Sequence, residues 1–434
     1  MSATTEPGTG RAGTPPAARP PRRPAPGRPA SPRDSLARLV GLLDRPLTSY
    51  YLILGCTLLL LALGLAMVLS TSSALALDSD QSPYGAFQKQ LLGALGGLVL
   101  MWVAARASPR LYRAAAYPLL GASVVGLLLV QAFGHEISGG TRWLNIGGFA
   151  VQPSEFAKLA FVLWGADLLA RKEALGQLTE WRQLLMPLMP GAAILALLVV
   201  IGDDLGTTFI LLVIFMALLW VVGTPARLFI GMLGLIAFIL LILIIVAPYR
   251  LQRITGFLDP HSQPLGSNMQ ELQGMYALGS GGPLGVGLGG SKEKWGWVPN
   301  SPNDYIFAIL GEELGLIGTL CVVFLYGGIA YAGLRIARRV PDTFMRLAAA
   351  AATMWIVVEA MVNMGAVLGL LPITGVPLPL VSEGLSSLVV TMVALGMLMS
   401  FARHEPGAQQ ALADAGPGAP RRVLSWLGLA PRRR

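Results

Sequence analysis

The chain of 434 residues is 54% hydrophobic and 13% charged, about half the charged fraction of a soluble domain. Its formal charge of +9 lies in tails and in short loops beside apolar runs, which points to anionic lipid and away from nucleic acid. The two cysteines, Cys56 and Cys321, each sit inside an apolar run, which excludes a disulfide framework or a zinc site, and His135, His261 and His404 fall in no ligand spacing.

Residues 1–33 are rich in Pro, Arg, Ala and Gly and lack apolar periodicity, so they read as a disordered tail and not as a secretory signal. In 34–45, Leu36, Leu39, Val40 and Leu43 recur at helical spacing behind a capping Asp34 or Ser35, which predicts a short interfacial helix. Ten apolar stretches follow, near 49–70, 90–106, 114–133, 154–171, 184–201, 206–222, 226–248, 304–333, 345–370 and 384–402. Stretches of about 20 residues span a hydrocarbon core as helices. They are apolar on every face, whereas barrel strands alternate. The predicted fold class is therefore all-α, a polytopic membrane protein of about ten transmembrane helices. Its membrane domain is 47–403, flanked by basic tails at 1–46 and 404–434. The even-numbered turns and the tails hold 25 of the 32 Lys and Arg, so the positive-inside rule puts both termini in the cytoplasm beneath the plasma membrane. Residues 421–434 (RRVLSWLGLAPRRR) read equally as a surface-lying anchor and as a disordered basic tail.

Three connections carry most of the extracytoplasmic sequence: 71–89, 135–153 and the large loop 249–303. Loops of that length are functional or disordered. Tyr276, Trp295, Trp297 and many glycines in 249–303 predict a segment folded back on the outer membrane surface. Pro372, Pro377, Pro379 and Gly375 prevent 371–383 from forming a regular helix, and such backbone survives at membrane depth when it is buried in protein or lines a cavity.

Ionisable groups inside a bilayer mark function or specific pairing. Glu155 and Lys158 share one helix face at i, i+3, either as a structural ion pair or as part of a polar cavity for a charged head group. Asp203, Asp204 and Thr207 flank Gly206 in a very short turn, again with two readings: an interfacial turn or a site. Asp304, Glu312, Glu313, Glu359 and Asn363 are further candidates for an interior cavity.

Four stretches carry a resemblance. Gly140-Thr141-Arg142-Trp143-Leu144 leads to Gln152-Pro153-Ser154-Glu155-Phe156-Ala157-Lys158. Asp204-Leu205-Gly206-Thr207 is the second. The third is Gly281-Gly282 with Gly285, Gly287 and Gly289, then Pro299, Asn303-Asp304-Tyr305-Ile306-Phe307-Ala308 and Gly311-Glu312-Glu313-Leu314-Gly315. The fourth is Gly369-Leu370-Leu371-Pro372-Ile373-Thr374-Gly375, continuing to Leu378-Pro379-Leu380-Val381-Ser382. In this order over 47–403 they resemble the Shape, Elongation, Division and Sporulation family of membrane proteins, which includes FtsW, RodA and SpoVE. The proline-rich N-terminal tail is similar to that of its actinobacterial FtsW branch.

The resemblance implies a ten-span peptidoglycan glycosyltransferase that polymerises lipid II, an undecaprenyl diphosphate-linked disaccharide pentapeptide, by inverting transfer. It also implies a class B penicillin-binding protein and other divisome proteins as partners, a place at the division septum, and help from a divalent cation, Mg or Mn. Asp259 and Asp304 are then the candidate catalytic carboxylates. Arg142, Glu155, Lys158, Gln270 and Ser382 are candidate substrate-site residues. Glycine-rich backbone at 279–290 reads as a close approach to sugar or phosphate, or as a flexible loop.

The chain departs from the family where the catalytic aspartate of a D-P-x-G-x-G-Y-Q motif is expected. Gln263-Pro264-Leu265-Gly266-Ser267-Asn268-Met269-Gln270 stands there, and a glutamine is no general base near neutral pH. Asp259, in Leu258-Asp259-Pro260, is either a relocated base or a turn aspartate. Ser301-Pro302-Asn303 replaces a family histidine, and Ser382-Glu383-Gly384-Leu385-Ser386 replaces S-Y-G-G-S, adding the carboxylate of Glu383. These departures keep two rivals open: a non-catalytic divisome scaffold and a lipid II transporter. No internal repeat of the transporter kind is visible.

Overall fold

In the computed structural model of the chain, the described residues are 2, 45–78, 82, 84–137, 140–178, 180–246, 248–259, 268–298 and 301–414. The predicted interfacial helix at 34–45, save Arg45, the tail at 1–33, save Ser2, the basic segment 421–434, His261 and Gln263 lie outside them. The chain divides into Met1–Arg45 and Pro46–Arg434, and the second unit carries the architecture below.

Helices dominate, and each predicted span has one. They are α1 (Thr48–Asp78), α2 (Gly85–Arg106), α3 (Pro109–Phe133), α4 (Pro153–Ala174), the pair α5 (Trp181–Leu185) and α6 (Leu188–Ile201), α7 (Leu205–Val221) and α8 (Ala226–Val246). After the outer helices α9 (Pro248–Leu258) and α10 (Met269–Gly281) come α11 (Ile306–Arg339), α12 (Thr343–Val367), α13 (Leu385–Ala402) and the short α14 (Ala408–Asp414). Among the described residues, eight helical stretches are long and apolar enough to cross a bilayer, with Trp181–Ile201 counted as one. The other two spans differ for legible reasons. Helix α7 is apolar but only 17 residues long, and α4 carries Glu155, Lys158 and Asp167, each buried by protein.

Burial sorts these helices. Almost every residue of α4, α12 and α13 is enclosed, while α8 buries none. Helix α12 is central because Ala348 to Ala352 present no bulk on any side, each 2% exposed or less. Between apolar helices in lipid, close van der Waals packing rather than water exclusion drives association, and small residues permit it. Gly396 of α13 shows this: a Cβ there would lie 2.5 Å from the Met101 carbonyl of α2. A Cβ on Gly97 would lie 2.5 Å from Met392 Sδ.

The connection 135–153, predicted only as an outer loop, forms a three-stranded antiparallel sheet: β1 (His135–Ile137), β2 (Gly140–Ile146) and β3 (Phe149–Val151). Its β2–β3 turn is Gly147-Gly148, both left-handed (φ 61° and 84°), between the paired Ile146 and Phe149. A two-residue turn with positive φ at both positions matches the twist of a hairpin, and paired glycines adopt it without strain. That signal was present in the sequence.

Candidate active site

The polar chemistry begins at the short turn into α7. Asp204 caps that helix, accepting from Thr207 N at 3.0 Å and Thr207 Oγ1 at 2.8 Å. It also accepts from Gln152 Nε2 at 2.9 Å, and Arg142 Nη1 of β2 stands 4.0 Å away. An aspartate N-cap satisfies amides that the first helical turn leaves open. Asp204 is therefore a structural cap, the interfacial-turn reading of this motif. Its neighbour Asp203 takes a left-handed conformation (φ 60°), and its carbonyl accepts from Arg142 Nη2 at 2.7 Å. Gly206 follows because a Cβ there would meet Val376 Cγ2 at 2.5 Å and the Thr374 carbonyl at 2.7 Å.

The broken segment after α12 packs against that turn, as its prolines predict. It has no regular secondary structure over 372–378, turns at the left-handed Gly375 (φ 71°) and is stapled at both ends. Asn363 Nδ2 donates to the carbonyls of Asp304 and Val376, both at 2.8 Å. Ser382 Oγ accepts from Leu378 N at 2.8 Å and donates to the Asn303 carbonyl at 2.5 Å. Ser382 is 4% exposed with its hydroxyl spent on backbone, so it shapes the segment and does not face the cavity.

Where these pieces meet is a cavity of about 170 Å³. Arg142, Asp203 and Arg253 line its polar end, and Phe209, Leu240 and Ile244 its apolar end. Arg253, on α9, donates from Nη1 to the Ile373 carbonyl at 3.3 Å. Asp304, half-buried just before α11, shares this end. A side chain built on Gly375 would come within 3.6 Å of Asp304 Oδ2 and 3.9 Å of Arg253 Nη1, so both charged groups stand over the same bare backbone. Burial raises the Asp304 carboxyl, Arg253 and then Arg142 oppose the rise, Asp204 adds to it, and the net value is about 6. The polar lining comes from the turns after the third, fifth, seventh and ninth spans. Only alternate turns meet, as the ten-span count requires of one membrane face.

Other predicted residues lie elsewhere. Lys158 Nζ is 2.9 Å from Glu155 Oε2 and 2.8 Å from Glu359 Oε1, with all three side chains 2% exposed or less. Trp355 Nε1 donates to Glu359, and Lys158 Nζ lies 5.1 Å from the Trp355 ring centre. This sealed cluster ties α4 to α12, and neither Glu155 nor Lys158 lines the cavity. The geometry corresponds to the structural-ion-pair reading. Gln270 is half-buried on α10, with no protein partner for its Nε2, and is also absent from the cavity wall. Asp259 is exposed at the end of α9, where its carbonyl accepts from Asn268 Nδ2 at 3.1 Å. It lies six residues beyond Arg253, about 9 Å along a helix axis. Of the predicted set, Arg142 lines the cavity and Asp304 stands beside its polar end over Gly375, whereas Asp259 does neither.

The glycine-rich stretch does something neither sequence reading anticipated. Helix α11 breaks at Gly315 (φ 67°), and the break leaves carbonyls without helical partners. Val286 N and Gly287 N donate to the carbonyls of Glu312 and Glu313, each at 3.0 Å, and Leu316 N to that of Gly282 at 2.9 Å. A Cβ on Gly285 would lie 2.2 Å from the Glu313 carbonyl. The glycines permit backbone-to-backbone packing on a helix kink. Around it, Lys294 Nζ pairs with Glu313 at 3.1 Å and Ser70 Oγ at 2.9 Å, and Lys292 N donates to Glu312 at 3.0 Å. Glu312 and Glu313 are consumed there.

No three His, Cys, Asp or Glu side chains converge as a cation cage among the described residues. Arg142 and Arg253 already occupy the polar end of the cavity. The described residues therefore do not by themselves form a divalent-cation site.

The residue missed from sequence is Arg253. Its signal was its side of the membrane: it is one of six Lys or Arg assigned outside against the positive-inside rule. Of those six, Arg142 and Arg253 line the cavity and Lys294 is buried in an ion pair.

Comparison with known proteins adds the following. Residues 50–406 match the FtsW/RodA/SpoVE family, described as cell cycle proteins. A probable peptidoglycan glycosyltransferase FtsW of Mycobacterium tuberculosis is 42% identical over 372 residues, covering 85% of this chain and 71% of that protein. Stage V sporulation protein E of Bacillus subtilis is 35% identical over 352 residues, covering 80% and 95%. Among solved structures, a chain of a peptidoglycan synthase complex that coordinates polymerization and crosslinking superposes with a TM-score of 0.67 at 28% identity, covering 82% of this chain and 97% of that one. The rod shape determining protein RodA of Thermus thermophilus gives 0.59 at 25% identity, covering 84% and 99%.

Proposed function

The chain belongs to the FtsW/RodA/SpoVE family, and from that premise we propose that it is a multi-pass membrane peptidoglycan glycosyltransferase whose reaction takes place in the Arg142–Arg253–Asp304 cavity. The observation that carries this reading is the meeting of Arg142, Arg253 and Asp203 above apolar walls, with the Asp304 carboxyl beside Arg253. That arrangement matches a lipid-linked sugar diphosphate such as lipid II. Arg142 and Arg253 hold the diphosphate, and Phe209, Leu240 and Ile244 take the start of the lipid chain. Positive charge aimed at a leaving diphosphate stabilises the charge that develops as the bond to the anomeric carbon breaks.

Asp304 is the general base. As the acceptor sugar hydroxyl attacks the anomeric carbon, its proton passes to the Asp304 carboxylate, and the lipid diphosphate leaves from the opposite face with inversion. A base that titrates near 6 is largely ionised at neutral pH and still takes a proton usefully, an effect worth about 10²–10⁴ in rate. Asp259 is the second candidate, and Mg or Mn is a proposed helper that would supply positive charge to the diphosphate. The proposal extends to a class B penicillin-binding protein as cross-linking partner, to other divisome proteins, to cytoplasmic termini and to the division septum.

The test is polymerisation of labelled lipid II by purified protein with its cognate penicillin-binding protein and a divalent cation. Glycan product abolished by Asp304→Asn and kept by Asp259→Ala supports the assignment. Loss only with Asp259→Ala moves the base to α9. Gln263 favours the scaffold reading, under which polymer forms only after Gln263→Asp.

A further inference from the structure

A second cavity lies on the other membrane face and has no part in the proposed reaction. It is a groove of about 520 Å³ lined by Leu178, Trp181, Leu184, Pro225, Arg227 and Leu228. Its walls come from the turns after the fourth and sixth spans, whereas the active-site cavity draws on the odd-numbered turns. Leu184 forms a floor that is 1% exposed, while Trp181 is 57% exposed at the mouth. Arg227, in the first turn of α8, is the charged group among these lining residues, and no carboxylate lines the groove with it. A second guanidinium stands nearby, with Arg182 Cζ 5.3 Å from the Trp181 ring centre. The wall then runs onto α8, which buries no residue against protein.

We propose that this groove binds one anionic phospholipid, with its phosphate on Arg227 and its acyl chains along Leu184, Leu228 and the bare flank of α8. Charge complementarity selects the sign of the occupant. The five apolar side chains select its class, because a soluble anion gains nothing from them, whereas a lipid's upper chain buries against them. A tryptophan and arginines at the ends of spanning helices are placed where head groups lie. The role is independent of the glycosyltransferase reading.

The experiment uses the full chain in phosphatidylcholine nanodiscs doped with brominated phosphatidylglycerol or brominated phosphatidylcholine. The Trp181 emission is isolated as the difference between the wild type and Trp181→Phe. One cationic side chain near a surface is worth about fivefold in lipid affinity, so brominated phosphatidylglycerol quenches that component at about fivefold lower mole fraction. Arg227→Gln equalises the two lipids, and Arg227→Lys retains the preference because the charge remains. Equal quenching in the wild type, or a preference that survives Arg227→Gln, overturns the proposal. Displacement by water-soluble glycerophosphoglycerol at millimolar concentration also overturns it, since the site would then be one for free anions.

Discussion

Removing the positive charge of Arg253 changes what Asp304 can do, and the direction is set by geometry. Burial raises the Asp304 carboxyl to about 6, and Arg253 is the larger of the two charges that hold it down. With a value near 6, the base is mostly protonated at pH 5 and mostly ionised at pH 7.5. The kcat/KM for lipid II polymerisation, which reports the free enzyme, therefore falls on an acid limb centred near pH 6. Arg253→Gln removes the stabilisation of the ionised form, so the limb moves to higher pH. Each pH unit of movement costs about tenfold at pH values well below the limb, in addition to any uniform loss from weaker diphosphate binding. The assay is glycan product formed at subsaturating lipid II between pH 5 and pH 8.5, in wild type and Arg253→Gln. A limb that stays in place in Arg253→Gln, or a flat wild-type profile, refutes Asp304 as the titrating base.

The buried cluster gives a contrasting outcome. Lys158→Met leaves two carboxylates enclosed without their cation and lowers stability by about 3–5 kcal/mol, read as a lower unfolding midpoint in detergent. The triple variant Glu155→Gln, Lys158→Met, Glu359→Gln recovers most of that loss, and recovery of folding without polymerisation would return Lys158 to the substrate site. Gly285→Ala places a methyl 2.2 Å from the Glu313 carbonyl at φ 78°, so it lowers the unfolding midpoint and increases proteolysis in 282–298. Arg142→Lys keeps a charge but loses the fork that binds Asp203, so KM for lipid II rises severalfold while the midpoint stays close to wild type.

Much was legible because membrane insertion is written locally. Whether twenty residues cross a bilayer depends on their own length and apolarity, so ten spans, their order and the break at 371–383 could be read without any fold. The charge asymmetry of the turns predicted an orientation, and the structure shows that the odd-numbered turns meet at the cavity. The chain order of the family motifs was also a property of the string alone. The Gly147-Gly148 hairpin was equally local and was simply not used.

What the string could not decide was convergence. Lys158 reads as half of an i, i+3 pair until Glu359, from a distant span, closes on it and seals it from the cavity. Asp304 and Asp259 look equivalent as acids near the outer surface. Only packing sets one beside Arg142 and Arg253 and leaves the other exposed at a helix end. The glycines of 279–290 read as a close approach to sugar or phosphate, or as a flexible loop, until the kink at Gly315 presents carbonyls that need the amides of Val286 and Gly287. Hydropathy is a sum over neighbours in sequence, so it locates helices. A catalytic environment is a sum over neighbours in space, and those neighbours come from segments about fifty residues or more apart.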